Sequence, residues 1–185
     1  ISHTDHKIKF GPSLNYDNYS ESFNDSAFKH EDIIPGAYTE YTYCKPDTTL
    51  SLVVGFRGDY HNKYGVKFTP RTHFKYNFLP RTALRLSAGS GWRTANIFVE
   101  NASVFANSRQ IVVKENLRPE EAWNYGVSFT HKFRIFVRDA YFSTDFFRTD
   151  FSNKVIVDLE DVDKVQFYNL NGKSYSNAFQ VEFGL

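Results

Sequence analysis

The chain has 185 residues, a formal net charge of +1 from 22 basic and 21 acidic side chains, and 18% aromatic residues, with 19 Phe and 12 Tyr. That length fits one domain, and the near-neutral balance leaves no electrostatic footprint for nucleic acid. The single cysteine, Cys44, excludes an internal disulfide and a Cys-based metal cluster, and fully apolar runs stop at three residues, as in Leu52-Val53-Val54, far short of the ~20 of a transmembrane helix.

A strand barrel escapes that last exclusion, because it carries its apolar face on every second residue. There is no methionine, at position 1 or elsewhere, which reads as a piece of a longer chain that has lost any signal peptide.

Period two dominates from end to end, and the Tyr, Phe, Val and Thr content favours strands. Eight strands are predicted, at Lys7–Tyr19, Ile33–Cys44, Thr49–His61, Val66–Phe78, Thr82–Arg93, Glu120–Phe136, Asp139–Ser152 and Lys173–Leu185. Val155–Val157 and Val165–Tyr168 form a further short hairpin pattern. Arg118-Pro119-Glu120-Glu121-Ala122 has the composition of a helix start, set against clean alternation immediately after it.

The connections alternate in length. Lys45-Pro46-Asp47-Thr48, Leu79-Pro80-Arg81 and Val137-Arg138-Asp139 are tight, whereas 20–32, 94–119 and 153–172 are long and polar, with 62–65 the short exception. A meander does this when one rim is plain and the other carries function. Transmembrane barrels have short periplasmic turns and long extracellular loops.

The two faces differ sharply. Ile8, Phe10, Leu14 and Tyr16; Leu52, Val54, Phe56 and Tyr60; Leu84, Leu86, Ala88, Ser90 and Trp92; Trp123, Tyr125, Val127 and Phe129; and Phe179, Val181 and Phe183 fall on one side with no Lys, Arg, Asp or Glu among them. A Lys or Arg at the bilayer midplane costs ~2–4 kcal/mol, so a lipid face requires this. The other side carries Arg57, Asp59, Lys75, Arg85, Lys132 and Glu182 and must meet water. In the seventh strand Phe142, Thr144 and Phe146 face out, but Arg148 then falls on the lipid side near the outer rim. A soluble β-sandwich also alternates. Its strands are usually ~5–6 residues, shorter than these, and aromatics here bunch toward strand ends (Tyr41, Tyr43, Trp92, Trp123), as they do at membrane interfaces. The fold class is therefore all-β: an antiparallel up-and-down meander of about eight long strands, part of a large transmembrane β-barrel.

Several segments resemble the barrel of TonB-dependent outer-membrane receptors: Phe68-Thr69-Pro70-Arg71 through Tyr76-Asn77-Phe78, Leu84-Arg85-Leu86-Ser87-Ala88-Gly89, Gly91-Trp92-Arg93-Thr94-Ala95-Asn96, and Glu115-Asn116-Leu117-Arg118-Pro119-Glu120 leading into Trp123-Asn124-Tyr125-Gly126. Trp92 stands where the family has Phe, and Thr94-Ala95 where Ala-Pro is common. Asp145–Phe151, Tyr168–Asn177, Gly11-Pro12-Ser13 and Pro35–Tyr41 look like receptors of the Bacteroides group. The likeness covers nearly all of residues 1–185 in order, and their succession is what makes it specific.

The resemblance implies a partial outer-membrane barrel without its plug and remaining strands, about eight of the family's ~22. It implies import of a scarce, bulky nutrient (iron chelate, cobalamin or glycan), energised by the TonB complex through the plug. The partners implied are that complex, outer-membrane lipid and a small ligand such as a siderophore or cobalamin. Leu84, Leu86 and Ala88 would then face lipid, and Arg85, Ser87 and Gly89 the plug and its water, with Gly91-Trp92-Arg93 marking the outer interface.

Arg93, Asn96 and Arg109 fall at a strand end and in the longest connection. Arg suits bidentate oxygen recognition, so the three are candidate contacts for an anionic ligand; a solvated or plug-facing rim network is the plainer reading. His3-Thr4-Asp5-His6 has metal-ligand residue types, and Cys44 reads as a buried or interface thiol. Adjacent strand residues point to opposite faces, so Glu120 and Glu121 do not form an acid pair. No nucleophile–base pair, phosphate loop or cofactor motif is found, and the chain is not expected to be an enzyme. Loop side chains Asp25, His30, Arg93, Arg109, Asp161 and Asp163 are mixed in sign and name no substrate. The alternative is a self-contained small barrel or sheet acting as a binding or adhesion module. A true small barrel would close on itself, whereas a wall fragment leaves two raw edges.

Overall fold

The structure, a computed structural model, describes residues 5–23, 26–106, 109–114 and 116–185, with the side chains of residue 19 and of 21–30 outside that description. His3, Asp25 and Glu115 thus lie outside the described residues, as does the side chain of His30.

The strands are β1 His6–Phe23, β2 Ser26–Cys44, β3 Leu50–His61, β4 Gly65–Leu79, β5 Thr82–Arg93, β6 Gln110–Val113, β7 Glu120–Ile135, β8 Arg138–Asn153, β9 Val155–Asp158, β10 Lys164–Asn169 and β11 Ser174–Gly184. Two single-turn helices, α1 Ile97–Glu100 and α2 Ala102–Phe105, lie between β5 and β6. Eight strands form one antiparallel sheet in the order β1-β2-β3-β4-β5-β7-β8-β11, each chain neighbour beside the last except where the outer connections intervene. The sheet is open, with β1 and β11 at its ends. The remaining strands form a second sheet, β6-β10-β9, parallel between β6 and β10 and antiparallel between β10 and β9.

The eight predicted strands are the eight of the main sheet, and the short hairpin is β9–β10. Two expectations fail. The connection at 20–32 is largely strand: β1 and β2 stay paired from His6–Tyr43 to Phe23–Ser26, while β2 pairs with β3 only from Gly36 to Cys44. Backbone pairing carries this hairpin past the rim although its side chains are polar. The connection at 94–119 is folded into α1, α2 and β6, too short to register as periodicity. The helix signature at 118–122 gives way to β7, whose Glu120 and Glu121 pair with Arg93 and Trp92 of β5.

The register puts the predicted faces together. Leu84 lies opposite Phe129, Leu86 opposite Val127, and Val127 in turn opposite Phe146, which meets Phe179. On the reverse face Ser128 bonds Asp145 and Arg85 reaches Thr130 at 3.3 Å. The apolar face is bare: Phe10 is 81% exposed, Phe68 76% and Phe179 71%. Among the described residues the buried apolar side chains are Ala140, Val165 and Phe167, and two of those belong to β10. Eight long strands with almost no apolar core cannot be a soluble layer; a surface this apolar needs a nonaqueous neighbour. Arg148, the charge on that face, is answered in place. It grips Asp150 at 2.7–3.0 Å and lies 4.6 Å from the Tyr175 ring.

One pair of residues leaves its predicted face. Ser90 and Trp92 do not stay on the lipid side: the Ser90 hydroxyl is buried, and the Trp92 ring packs edge-on against His61 at 5.8 Å. β5 parts from β4 above Gly89 and turns its end inward.

Candidate functional site at the concave face and outer rim

The concave face is a lattice of charges already paired across strands. Arg71 of β4 reaches over β3 to Glu40 of β2 at 2.7 Å, and Lys9 of β1 approaches the same carboxylate at 3.7 Å. The strand between offers Gly55, where an added Cβ would lie 2.9 Å from Arg71 Nε, so a side chain there would displace the arginine from this crossing path. Arg57 holds Asp59 at 2.8 Å, with the carboxylate nearly buried above Gly36. Two hollows open on this face. One, about 500 Å³, is lined by Arg71, His73, Arg93, Glu120 and Asn124; the other, about 840 Å³, by Asn15, Tyr38, Arg57, Asp59, Arg71 and Arg93. Arg71 and Arg93 are common to both.

The rim is built around Arg93 and Glu120. Arg93 Nε donates to Glu120 at 2.6 Å and Nη2 to Glu100 at 2.9 Å, while the other oxygen of Glu120 accepts from Val155 N–H at 3.0 Å. One carboxylate thus joins the end of β5 to the start of β9. Asn96 accepts from Val99 N–H at 3.2 Å and so caps α1. Arg109 donates to the Leu159 carbonyl at 3.4 Å, tying the first long connection to the second. The three sequence candidates lie in one rim assembly, but on different parts of it. Arg93 lines both hollows; Asn96 and Arg109 hold loops.

Residues the sequence did not single out complete the rim. Asn169 accepts from Arg118 N–H at 2.8 Å and donates to the Arg118 carbonyl at 3.1 Å, mimicking a strand partner. Tyr64 Oη donates to the Leu117 carbonyl at 3.1 Å, and Lys67 meets Glu121 at 2.5 Å. The rings of Phe98, Phe105 and Phe167 stack in series, 4.9 and 5.9 Å apart, beneath these loops. Burial raises the Tyr64 and Tyr168 phenols above their ordinary range, with Asp32 and Asp158 respectively adding to the shift. Nothing in the spacing of Tyr64, Lys67 or Asn169 announces these roles, since each depends on a partner ~50 residues away. Glu120 and Glu121 take different partners, Arg93 and Lys67, as their opposite directions require. Cys44 is half-buried, its thiol 3.8 Å from the Lys45 carbonyl oxygen. His6 Nδ1 lies 2.7 Å from Tyr41 Oη.

A family model described as "TonB dependent receptor-like, beta-barrel" matches residues 3–183. The chain belongs to this family. None of the curated proteins matches the sequence. Among solved structures, the siderophore receptor PirA from Pseudomonas aeruginosa superposes with a TM-score of 0.72 at 16% identity, over 95% of this chain and 35% of that one. The ferric enterobactin receptor PfeA of the same organism, a Q482A mutant in complex with enterobactin, gives 0.72 at 13% identity, over 95% and 30%. PirA from Acinetobacter baumannii gives 0.64 at 17%, over 85% and 26%. At these identities the likeness is one of fold. The chain spans about a third of the length of the receptors it matches. The TonB-dependent receptor family is one of outer-membrane receptors, and a bare apolar face backed by a face of paired charges is what the wall of such a barrel requires.

Proposed function

We propose that this chain is a wall segment, with its extracellular loops, of a receptor that imports a bulky iron chelate across the outer membrane, driven by the TonB complex through a plug domain. The observation that carries it is the concave face: its charges are paired within the wall, as at Lys9–Glu40–Arg71, and leave wide hollows beneath a folded rim. A narrow barrel would fill that space with side chains. An iron chelate stands ahead of cobalamin or a glycan because the fold neighbours are described as siderophore receptors. The sequence motifs of Bacteroides-type receptors remain part of the reading, carried by residues such as Pro35–Tyr41.

Arg93, whose side chain is 60% exposed in the lining of both hollows, is the ligand-contacting member of the three candidates. Asn96 and Arg109 shape the mouth around it. A self-contained small barrel would need β1 to meet β11, and the open sheet speaks against that form of the alternative. The test is uptake by cells carrying the complete receptor. Labelled iron chelates, cobalamin and an oligosaccharide are offered with and without TonB. TonB-dependent accumulation of an iron chelate supports the proposal. Uptake of cobalamin or glycan alone overturns the substrate assignment, and uptake of none overturns the import reading.

A further inference from the structure

Above the pair Arg71–Gly89 the wall is not continuous. β4 stays paired with β3 as far as Gly65–His61, and β5 with β7 as far as Arg93–Glu120. β4 and β5, however, pair with each other only from Leu79–Thr82 to Arg71–Gly89. Residues 65–70 and 90–93 therefore face each other across a gap of about 420 Å³, lined by Val66, Phe68, Pro70, Gly91 and Trp92. Pro70 stands where the strands part, and proline, which donates no ladder hydrogen bond, belongs at edges and irregularities. A Cβ on Gly91 would meet nothing within 4 Å. Unpaired backbone in hydrocarbon costs several kcal/mol per group, so the gap belongs at the outer interface, where the exposed Trp123 fits as an interfacial aromatic.

Among the described residues, three contacts bridge it. Lys67 passes the end of β5 to reach Glu121 of β7 at 2.5 Å. The Trp92 ring rests on the fully buried His61, and Tyr64 Oη donates to the Leu117 carbonyl. The 500 Å³ hollow begins on the paired stretch at Arg71, His73 and Gly89 and runs up to the seam, where Gly91, Trp92, Arg93 and Glu120 line it.

We propose that this seam is a hinge in the barrel wall. The upper ends of β5, β7 and β8, with α1, α2 and the β6-β10-β9 sheet that β6–β10 pairing, Arg109–Leu159 and Asn169–Arg118 bind to them, form a flap that swings as one body against β1–β4, and Lys67, Trp92 and Tyr64 are the clasp that holds it closed over the lumen hollow. The inference rests on the reading of the chain as a receptor for a bulky ligand. A continuous ladder resists such motion because every hydrogen bond must break; where the β4–β5 ladder is already open, motion across the seam breaks the clasp and no ladder hydrogen bond between β4 and β5.

The test uses the complete receptor in a Cys44→Ser background. Spin labels are placed at Phe68→Cys on one side and Val99→Cys on the other, both exposed and outside the clasp. Pulsed electron resonance then reads the distance across the seam. A narrow distribution that lengthens and broadens in Lys67→Gln and in Trp92→Phe, with heat-modifiable migration of the folded barrel retained, supports the hinge. An unchanged distribution in both overturns it. In a second arm, Lys67→Cys and Glu121→Cys are joined by a reducible thiol linker. Ligand uptake lost when linked and restored on reduction supports the flap, and native uptake while linked overturns it. If the unlinked receptor imports no ligand at all, the import reading fails, and the distance measurement decides the hinge by itself.

Discussion

The wall and the outer sheet are built from the same residue types, yet they put them in opposite places. In the wall, Phe10, Phe68 and Phe179 point outward and stand largely exposed, whereas in the outer sheet Phe167 is 0% exposed and Val165 1%. In an outer-membrane barrel the lipid supplies the nonaqueous neighbour, and a wall of this kind needs no core of its own. The outer sheet stands in water and must make one, from β10, the Phe98–Phe105–Phe167 stack and α1–α2. Polar chemistry is inverted as well. On the lumen side of the wall, charges answer charges across strands, as at Arg71–Glu40. In the outer region buried polar side chains answer backbone, as Asn169 does for Arg118.

The contrast is most exposed to failure at Phe167. Phe167→Ala removes the centre of the outer core and is expected to cost ~3–5 kcal/mol there. The loops at 94–119 and 153–172 should become protease-sensitive while the barrel still folds and migrates as a heat-modifiable species. Loss of the barrel itself would show that the two regions are one cooperative unit. Next in size, Val127→Lys on the lipid face should cost ~2–4 kcal/mol, read as a lower denaturation midpoint in lipid vesicles, with loop proteolysis unchanged. A smaller effect belongs to Asn169→Ala, which strands the Arg118 backbone groups and should cost ~1–3 kcal/mol. Hydrogen exchange at the Arg118 amide would report it, and an unchanged rate would deny the side chain its bridging role.

At the opposite rim the effects are smaller still. Phe136 is held at φ 55°, a left-handed conformation that costs a bulky residue ~1–2 kcal/mol. Phe136→Gly should raise the midpoint of barrel unfolding. In the β2–β3 turn, hydrogen bonds from Lys45 and Thr49 lower the Asp47 carboxyl to about 2. A folded value below the ordinary 3.8 means that its contribution is complete above pH 3.8 and lost as pH falls through about 2. Carboxyl NMR of Asp47 should show that midpoint, and Asp47→Asn should abolish the pH dependence of the Thr49 amide.

Much of the wall was legible because a barrel strand has one strict period and one strict rule, apolar toward lipid. Leu84, Leu86, Val127 and Phe129 obey it so closely that their face follows, and the register of β5 on β7 then sets them opposite one another. Arg148 was the visible exception, and its answer, Asp150 and Tyr175, lay two residues and one strand away. Of the rim, Arg93, Asn96 and Arg109 could be picked out as polar residues in long connections. Their bonds could not be read, since loop partners such as Glu120 with Val155 are fixed by tertiary approach and not by spacing.

The sequence by itself determined a transmembrane meander: the eight wall strands, the apolar face, the plain rim and the loaded rim all follow from alternation and turn length, which are local. The tertiary structure alone decided that β1–β2 runs on past the rim, that β6 and β10 pair across more than 50 residues, and that β4 and β5 part above Gly89 so that Trp92 turns inward onto His61. The physical reason is that periodicity encodes which side a residue faces, whereas pairing, parting and loop closure depend on which distant backbone groups arrive to satisfy one another.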